Sequence, residues 1–197
     1  MTPPMITLLI IAYLLGSVNS AVIVCKLMEL PSPNTTGSKN PGATNVLRIG
    51  GKKAAAFTFT GDALKGIIAV LIGHFMNQNE AFLCWIGLAA VIGHIFPIFF
   101  KFKGGKGVAT AIGASIAIEP ILGICIMLTW FVIAMVFRYS SLAAIIAFLA
   151  SPAFAGYFLG QDTIAPFAII AVLIIIKHKQ NIKRLLNGTE SRIGTKK

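Results

Sequence analysis

The chain has 197 residues, of which 56% are hydrophobic and only 12% are charged. Soluble domains carry about 25% charged residues, so this composition argues against a water-exposed globular surface and indicates a membrane protein. The 17 Lys and Arg residues outnumber the 6 Asp and Glu residues, and they lie between apolar runs. This arrangement favours membrane orientation and binding of anionic ligands over nucleic-acid binding.

Seven apolar segments follow one another along the chain. A helix that spans a bilayer needs roughly 20 apolar residues. We predict helices at about residues 5–25, 54–75, 81–100, 107–119, 121–137, 142–159 and 163–177. The predicted cytoplasmic parts are the loops 26–53 and 101–106 and the tail 178–197. The predicted fold is therefore an all-α integral membrane protein with seven transmembrane helices, in which residues 1–197 form a single membrane domain.

The distribution of basic residues predicts the orientation in the membrane. If the N-terminus is outside, every Lys and Arg except Lys65 falls on the inner side, and Lys65 lies within a helix. The outer loops carry only acidic charges, namely Glu80, Glu119 and Asp162. Because Lys and Arg favour the cytoplasmic side of a membrane, we predict an outside N-terminus and a cytoplasmic C-terminus.

The fourth segment, at 107–119, is short for a membrane helix. At ~1.5 Å per residue its apolar run covers about 17 Å, whereas the hydrocarbon core is ~30 Å thick. A re-entrant segment would leave six spans and would reverse the sidedness of all later charges. We therefore favour a short helix that crosses a locally thinned bilayer.

Three polar motifs fall on the predicted cytoplasmic side, and the first runs from Gly37 to Arg48 as GSKNPGATNVLR. The Asn40-Pro41-Gly42 run is typical of a turn, so a plain loop is one interpretation. The hydroxyls, the amides and the cations Lys39 and Arg48 are also donors suited to phosphate oxygens. A guanidinium can bind a phosphate through two hydrogen bonds, which favours a phosphate site.

The second motif begins as GHIFP at Gly93 and continues as KFKGGKGVAT at Lys101. Glycines before an apolar helix predict an anion-binding nest, because backbone N–H groups at a helix N-terminus point toward the ligand. Lys106 adds a positive charge. The loop lacks the glycine spacing of a Walker A motif. The alternative is a basic patch that contacts anionic lipid.

The third motif, HKQNIKRLLNGTE, begins at His178, where the last apolar segment ends. His178, Asn181 and Leu185 share one helical face, and Gly188 predicts the end of that helix. The alternative interpretation is a basic membrane anchor whose long side chains reach the interface.

Asp62 and Lys65 lie three residues apart inside a predicted membrane helix. An unpaired charge there costs ~2.5–3.5 kcal/mol, so we predict a structural ion pair; a role in holding the Arg48 loop is the alternative. The cysteines and histidines lack the spacing of a metal site, and we predict neither a metal nor a cofactor.

Taken together, the three motifs resemble those of the bacterial PlsY family, the membrane glycerol-3-phosphate acyltransferases that use acyl phosphate. The family patterns are GSxNPGATNVxR, GHxFPxFxxFxGGKGVAT and HxxNIxRLxxGxE, and this chain matches them in order over essentially its whole length. Lys39 occupies a position that is often Gly in the family. The resemblance also implies seven membrane helices.

The resemblance implies transfer of a fatty acyl group from acyl phosphate to the sn-1 hydroxyl of glycerol 3-phosphate. The products would be lysophosphatidate and inorganic phosphate, in the first step of phospholipid synthesis. The enzyme would lie in the bacterial inner membrane, in contact with membrane lipid, with its active site facing the cytoplasm. It would be linked to an enzyme that makes acyl phosphate and to a second acyltransferase that uses lysophosphatidate.

The same resemblance implies a set of site residues. The implied catalytic residues are Ser38, Arg48, Lys106, His178 and Asn181. The implied phosphate-binding residues are Asn40, Thr44, Asn45, Gly104, Gly105, Gly107 and Ser141. The resemblance implies a structural role for Glu190, and we predict a structural role for Asp62 and Lys65 from their spacing.

The residues agree with this chemistry on their own terms. Acyl phosphate is already an activated mixed anhydride, so the enzyme need only hold two phosphates together and aim one hydroxyl. A phosphate monoester can accept the proton, because its second pKa is about 6. We therefore favour substrate assistance, with His178 and Asn181 donating hydrogen bonds, and keep a general-base role for His178 as the alternative.

Two other classes of protein remain as alternatives. A membrane transporter of a phosphorylated or other anionic metabolite would also need apolar helices and basic loops. Transporters place their site near the bilayer midplane between repeats, whereas the polar motifs here share one predicted face and no repeat is visible. A membrane-anchored scaffold protein would not need the glycine loop.

Overall fold

A computed structural model describes residues 2–194, and every regular element in that range is helical. The α-helices are α1 Pro3–Gly16, α2 Ser20–Leu27, α3 Ala43–Phe75, α4 Glu80–Ile95, α5 Val108–Ile118, α6 Pro120–Phe137, α7 Ser140–Phe158, α8 Ile164–Lys177 and α9 Lys179–Leu186. Short 3₁₀ helices lie at Ile98–Phe100 and Gln161–Thr163. The helices pack as two compact units that divide between Ile118 and Glu119, and the single membrane domain stays a prediction.

The helix lengths agree with a multi-pass membrane protein. Five helical stretches in the described residues are long and apolar enough to cross a bilayer, namely Pro3–Leu27, Ala43–Phe75, Glu80–Phe100, Pro120–Phe137 and Ser140–Phe158. A sixth span would combine Gln161–Lys177 with Lys179–Leu186, which are bent by 60°. α5 is shorter than these stretches. The all-helical membrane fold is confirmed, while the count of seven and the orientation stay predictions.

The first predicted membrane segment, at 5–25, lies within the apolar stretch Pro3–Leu27, and this stretch contains a break between α1 and α2. The Ser17 hydroxyl donates to Tyr13 O at 2.8 Å, which satisfies a carbonyl at the end of α1. The Asn19 side chain then accepts from the Val22 N–H at 3.2 Å and caps the start of α2. An Asn at this position favours a new helix start over continuation of the old one.

The second predicted helix, at 54–75, agrees with the part of α3 that follows its kink, and the helical segment before the kink was not predicted. α3 begins at Ala43 and contains a kink at Gly51, whose φ of 76° lies in the left-handed region that glycine adopts readily. The predicted loop 26–53 therefore includes a helical segment at 43–50. Val46 is fully buried there and packs with Ala21 and Cys25. This packing against α2 holds the first turns of α3 in place.

Close helix packing positions α5 against α3. A Cβ built at Gly66 would overlap the Thr110 carbonyl oxygen, and one built at Gly113 would overlap the Ala63 carbonyl oxygen. The two helices therefore meet backbone to backbone through a glycine from each side. Small residues at membrane-helix interfaces permit this approach, as the glycine content of the sequence suggests.

The second unit consists of α6 to α9. Glu119 accepts from the Ile121 N–H at 3.1 Å and caps α6, with Pro120 in its first turn. α7 packs against both α6 and α8. The chain bends at His178 into α9, which ends before Gly188 as predicted. The predicted tail 178–197 thus begins with a helix, and Lys196 and Lys197, which contribute to its predicted charge, lie outside the described residues.

Candidate active site

Asn45 organises the first motif from inside. Its side chain is only 2% exposed, and its amide NH₂ donates to the carbonyls of Pro33 and Thr36, both at 3.0 Å. Its Oδ1 accepts from the Ser38 N–H at 2.8 Å. An amide has two N–H donors, so both are used within this loop. We therefore assign Asn45 the shaping of the loop rather than direct contact with phosphate.

The neighbouring donors of the first motif are exposed. Ser38, whose backbone N–H contacts Asn45, is exposed. Thr44 and Arg48 are also exposed and lie one turn apart in the part of α3 before its kink. Residues four apart on a helix point the same way, so Thr44 and Arg48 share a face. Asn40 is half-buried, and its carbonyl accepts from the Gly42 N–H at 3.0 Å. The first motif thus exposes the hydroxyls of Ser38 and Thr44 and the guanidinium of Arg48.

The glycine loop of the second motif packs closely on His94. Gly104 and Gly105 are buried, and the Gly105 N–H donates to the His94 carbonyl at 3.2 Å. Lys106 is half-exposed. Gly107 has φ of +88°, and α5 begins at the next residue. The amide of Gly105 is therefore used inside the protein, while the predicted nest as a whole stays a prediction.

Asp62 and Lys65 form the predicted ion pair. Asp62 Oδ1 lies 3.0 Å from Lys65 Nζ, and both side chains are at most 6% exposed. His94 Nδ1 lies 3.5 Å from the same carboxylate oxygen. No role for His94 was predicted from the sequence. The signal that could have found it is a lone imidazole inside a membrane helix, where a polar group needs a partner.

Glu190 accepts hydrogen bonds from three polar side chains of the second unit. Its Oε1 accepts from Ser141 Oγ at 2.7 Å and from Asn181 Nδ2 at 2.6 Å, and its Oε2 accepts from Arg184 Nε at 2.6 Å. Burial by itself would raise the pKa of Glu190. The hydrogen bonds from Asn181, Ser141 and Arg184 outweigh that effect and lower the pKa below its ordinary value. A charged Glu190 is therefore the form that holds these side chains.

His178 is positioned by the end of α8. Its side chain is 3% exposed, and Nδ1 lies 2.8 Å from the Ile174 carbonyl oxygen. A carbonyl oxygen can only accept, so we place the ring proton of the neutral imidazole on Nδ1. Nε2 of that tautomer is an acceptor. Donation of a hydrogen bond from Nε2 to a substrate would require the imidazolium.

The predicted residues thus fall into two groups, one in each unit. The first unit holds Ser38, Asn40, Thr44, Asn45, Arg48, Gly104, Gly105, Lys106, Gly107, Asp62 and Lys65. The second unit holds Ser141, His178, Asn181 and Glu190. Within the second unit, Glu190 contacts Asn181 and Ser141 directly. Ser141 lies outside the three sequence motifs.

Known proteins are similar to this chain over nearly its whole length. The glycerol-3-phosphate acyltransferase family model matches residues 6–188. Glycerol-3-phosphate acyltransferases of Coxiella burnetii and Vibrio cholerae are each 50% identical, over 94% and 100% of this chain and over 96% and 94% of their own lengths. The enzyme of Francisella tularensis subsp. novicida is 51% identical over 96% of this chain and 93% of its own length.

Two crystal structures of PlsY (YgiH), an integral membrane glycerol 3-phosphate acyltransferase, share the fold. Each is 41% identical and covers 98% of this chain and 96% of its own, with TM-scores of 0.91 for the glycerol 3-phosphate form and 0.89 for the lysophosphatidic acid form.

The apolar helices and the polar clusters around Asn45 and Glu190 define an integral membrane protein with polar sites. The similarity in sequence and fold shows that the chain belongs to the PlsY family of membrane glycerol-3-phosphate acyltransferases. The resemblance inferred from the three motifs is therefore confirmed.

Proposed function

We propose that this protein transfers a fatty acyl group from acyl phosphate to the sn-1 hydroxyl of glycerol 3-phosphate. One observation carries the proposal beyond family membership: Thr44 and Arg48 are exposed on one face of α3, while the buried Asn45 between them fixes the loop that precedes them. This arrangement holds phosphate donors in place before a ligand arrives. Preorganised donors of this kind are what a reaction between two phosphorylated substrates needs.

Electrostatics explains why the cations are required. Each phosphate group carries about −1.5 to −2 charge at pH 7, so the two substrates repel one another. We assign phosphate binding to Ser38, Thr44, Arg48 and Lys106, with Arg48 binding through two hydrogen bonds. The role of Gly104, Gly105 and Gly107 is to shape the loop that carries Lys106. Asn40 and Ser141 complete the proposed set.

The reaction forms one ester bond and breaks one anhydride bond. The sn-1 oxygen of glycerol 3-phosphate attacks the acyl carbon, and the bond from that carbon to the phosphate oxygen breaks. The electron pair leaves with phosphate, which yields lysophosphatidate and inorganic phosphate. The hydroxyl proton passes to Nε2 of neutral His178 and then to the departing phosphate. Asn181, fixed by Glu190, orients the reacting groups.

The test is an assay of purified protein in detergent with acyl phosphate and glycerol 3-phosphate. Phosphate release should require both substrates and should match lysophosphatidate formation. Arg48→Lys keeps the charge but loses the two-pronged geometry. It should lower kcat/KM by about 10–100-fold, since a hydrogen bond to a charged group contributes about 1.5–3 kcal/mol.

Lys39→Gly is the matched control in the same motif. Lys39 is exposed and has φ of 55°, which glycine adopts readily, so this variant should keep wild-type activity. Absence of phosphate release from the wild type would overturn the proposal. Uptake of labelled glycerol 3-phosphate into vesicles without acylation would instead establish the transporter alternative.

We also propose that the protein lies in the bacterial inner membrane with these residues facing the cytoplasm, on the strength of the basic-residue distribution. Single cysteines at the exposed positions Gln161 and Lys183, before and after α8, test this in a background without Cys25, Cys84 and Cys125. Gln161→Cys should react with an impermeant thiol reagent from outside intact cells. Lys183→Cys should react only after lysis, and the reverse pattern would exclude this orientation.

A further inference from the structure

A buried polar network in the first unit lies outside the residues that the proposed reaction uses. Asp62 bridges two partners, with Lys65 Nζ at 3.0 Å and His94 Nδ1 at 3.5 Å from its Oδ1. The three residues are 3%, 6% and 6% exposed. Charges and a polar ring at such burial are costly in a membrane protein unless they are partnered, so this network needs a structural or functional reason.

One end of the network has a structural reason. Lys65 Nζ donates to the Val18 carbonyl at 2.7 Å. Val18 lies in the break between α1 and α2, where helix ends leave carbonyls without partners in the helix. In a membrane such a carbonyl needs a donor, because no bulk water is present. Lys65 supplies that donor, and Asp62 balances the charge of Lys65.

The other end of the network reaches the glycine loop. The His94 carbonyl accepts from the Gly105 N–H at 3.2 Å, and a Cβ built at Gly105 would overlap His94 Nε2. The same Cβ would lie 2.8 Å from the Pro41 carbonyl oxygen of the first motif. The His94 ring therefore lies between Asp62 on its Nδ1 side and Gly105 on its Nε2 side. Gly105 in turn lies between the ring and Pro41.

We infer that Asp62 and His94 are positioning residues for glycerol 3-phosphate binding, because they fix the place where the Gly104–Gly107 loop and the Pro41 turn meet. Lys106 directly follows Gly105, so a displaced Gly105 displaces Lys106. Gly105 is then a glycine because of the His94 ring and Pro41, and not because a phosphate approaches its backbone. This inference rests on the proposed function, since it concerns binding of the same substrate.

A double-variant cycle separates the two reasons for Gly105. His94→Ala and Gly105→Ala should each raise the KM for glycerol 3-phosphate by about tenfold and leave kcat within about threefold, as loss of one positioning contact predicts. Removing the ring makes room for the Gly105 methyl group, although Pro41 still crowds it. The double variant should therefore have a KM close to that of the worse single variant.

A KM that rises about 100-fold in the double variant would mean independent effects, and phosphate approach would then be the reason for Gly105. A His94→Ala enzyme with the wild-type KM would also overturn the inference. Failure of the wild type to acylate glycerol 3-phosphate would instead refute the proposed function.

Two further variants of the first unit complete the experiment. His94→Asn keeps a donor near the position of Nδ1, so it should retain a lower KM than His94→Ala, and it serves if His94→Ala does not fold. His74→Ala is the matched control, since Nε2 of His74 lies 2.9 Å from the Ala117 carbonyl between α3 and α5. It should leave the KM unchanged. Equal KM values for His94→Asn and His94→Ala would exclude positioning through Asp62.

Discussion

The two units organise their polar residues around different kinds of centre. In the first unit, Asn45 makes its three hydrogen bonds to backbone atoms of Pro33, Thr36 and Ser38. In the second unit, Glu190 makes its hydrogen bonds to side chains, those of Ser141, Asn181 and Arg184. A centre that binds backbone fixes the course of a loop, whereas a centre that binds side chains fixes their orientation.

This difference suggests how the work is divided. In the proposed reaction, the loop fixed by Asn45 would set where Ser38 and Arg48 contact a phosphate, which would affect substrate affinity. In the same proposal, Glu190 would fix the angle at which Asn181 meets a reacting group, which would affect the chemical step. We therefore expect variants of the first unit to change KM and variants of the second unit to change kcat.

The largest effect should come from His178 in the second unit. With its proton on Nδ1, Nε2 can accept the hydroxyl proton, and loss of a general base costs about 10²–10⁴-fold in rate. His178→Gln and His178→Asn can form hydrogen bonds but cannot take a proton near neutral pH. We expect both to have a kcat as low as that of His178→Ala, with little change in KM.

The control for His178 is binding of glycerol 3-phosphate to each folded variant, measured by calorimetry. If His178→Gln or His178→Asn keeps clearly more activity than His178→Ala, the residue orients the substrate and the phosphate takes the proton. That result would restore the substrate-assisted scheme that the sequence analysis favoured. It would also weaken the assignment of kcat effects to the second unit.

Local patterns in the sequence were enough to predict some of these features. The predicted helices at 107–119 and 121–137 agree with α5 and α6 to within one residue at each end. The spacing of Asp62 and Lys65 predicted their ion pair, because residues three apart share a helical face. Such features depend on neighbours within one helix, which the sequence displays directly.

Features that depend on which helices are neighbours could not be predicted in this way. His94 contacts Asp62 across two helices, and no local pattern indicates that α3 and α4 meet there. The motif around Asn45 suggested phosphate donors, but only the fold shows which donors point inward. Asn45 points into its own loop, whereas Arg48, three residues on, is exposed. The break after α1 was missed because Gly16 and Asn19, which border it, lie inside one continuous apolar run.

Asn45 should give the next largest effect. Asn45→Ala leaves two carbonyls and one N–H without their buried partner, at a cost of about 2–4 kcal/mol of stability. Asn45→Asp should be worse, because a carboxylate oxygen would face the carbonyls of Pro33 and Thr36. Thermal unfolding in detergent should show both losses, and the KM for glycerol 3-phosphate should rise more than kcat falls.

Asn34→Ala is the control for Asn45 in the same loop. Asn34 is only half-buried, so its replacement should change stability by less than about 0.5 kcal/mol. If Asn45→Ala lowers kcat at an unchanged KM, the expectation that the Asn45 loop determines substrate affinity is wrong. The comparison of the two units would then rest on Glu190 alone.

Glu190→Gln should have the smallest effect at neutral pH and the most informative pH dependence. Gln keeps the size of the side chain and can still accept from Asn181, but it loses the charge that strengthens the bond from Arg184, whose side chain is 39% exposed. Because the contact is partly exposed, we expect a loss of about 1 kcal/mol in stability and a severalfold fall in kcat.

The sign of the pH effect follows from the lowered pKa of Glu190. A carboxylate whose pKa is lower in the folded state contributes stability above its unfolded value and loses it as the pH falls through its folded value. Wild-type unfolding temperatures should therefore decline as the pH falls below the ordinary pKa of 4.5. Glu190→Gln cannot be protonated, so this part of the decline should be absent in the variant. If the unfolding temperatures of the two proteins decline in parallel down to acid pH, the hydrogen bonds to Glu190 do not depend on its charge. The shape of the Glu190 side chain alone would then hold Ser141, Asn181 and Arg184.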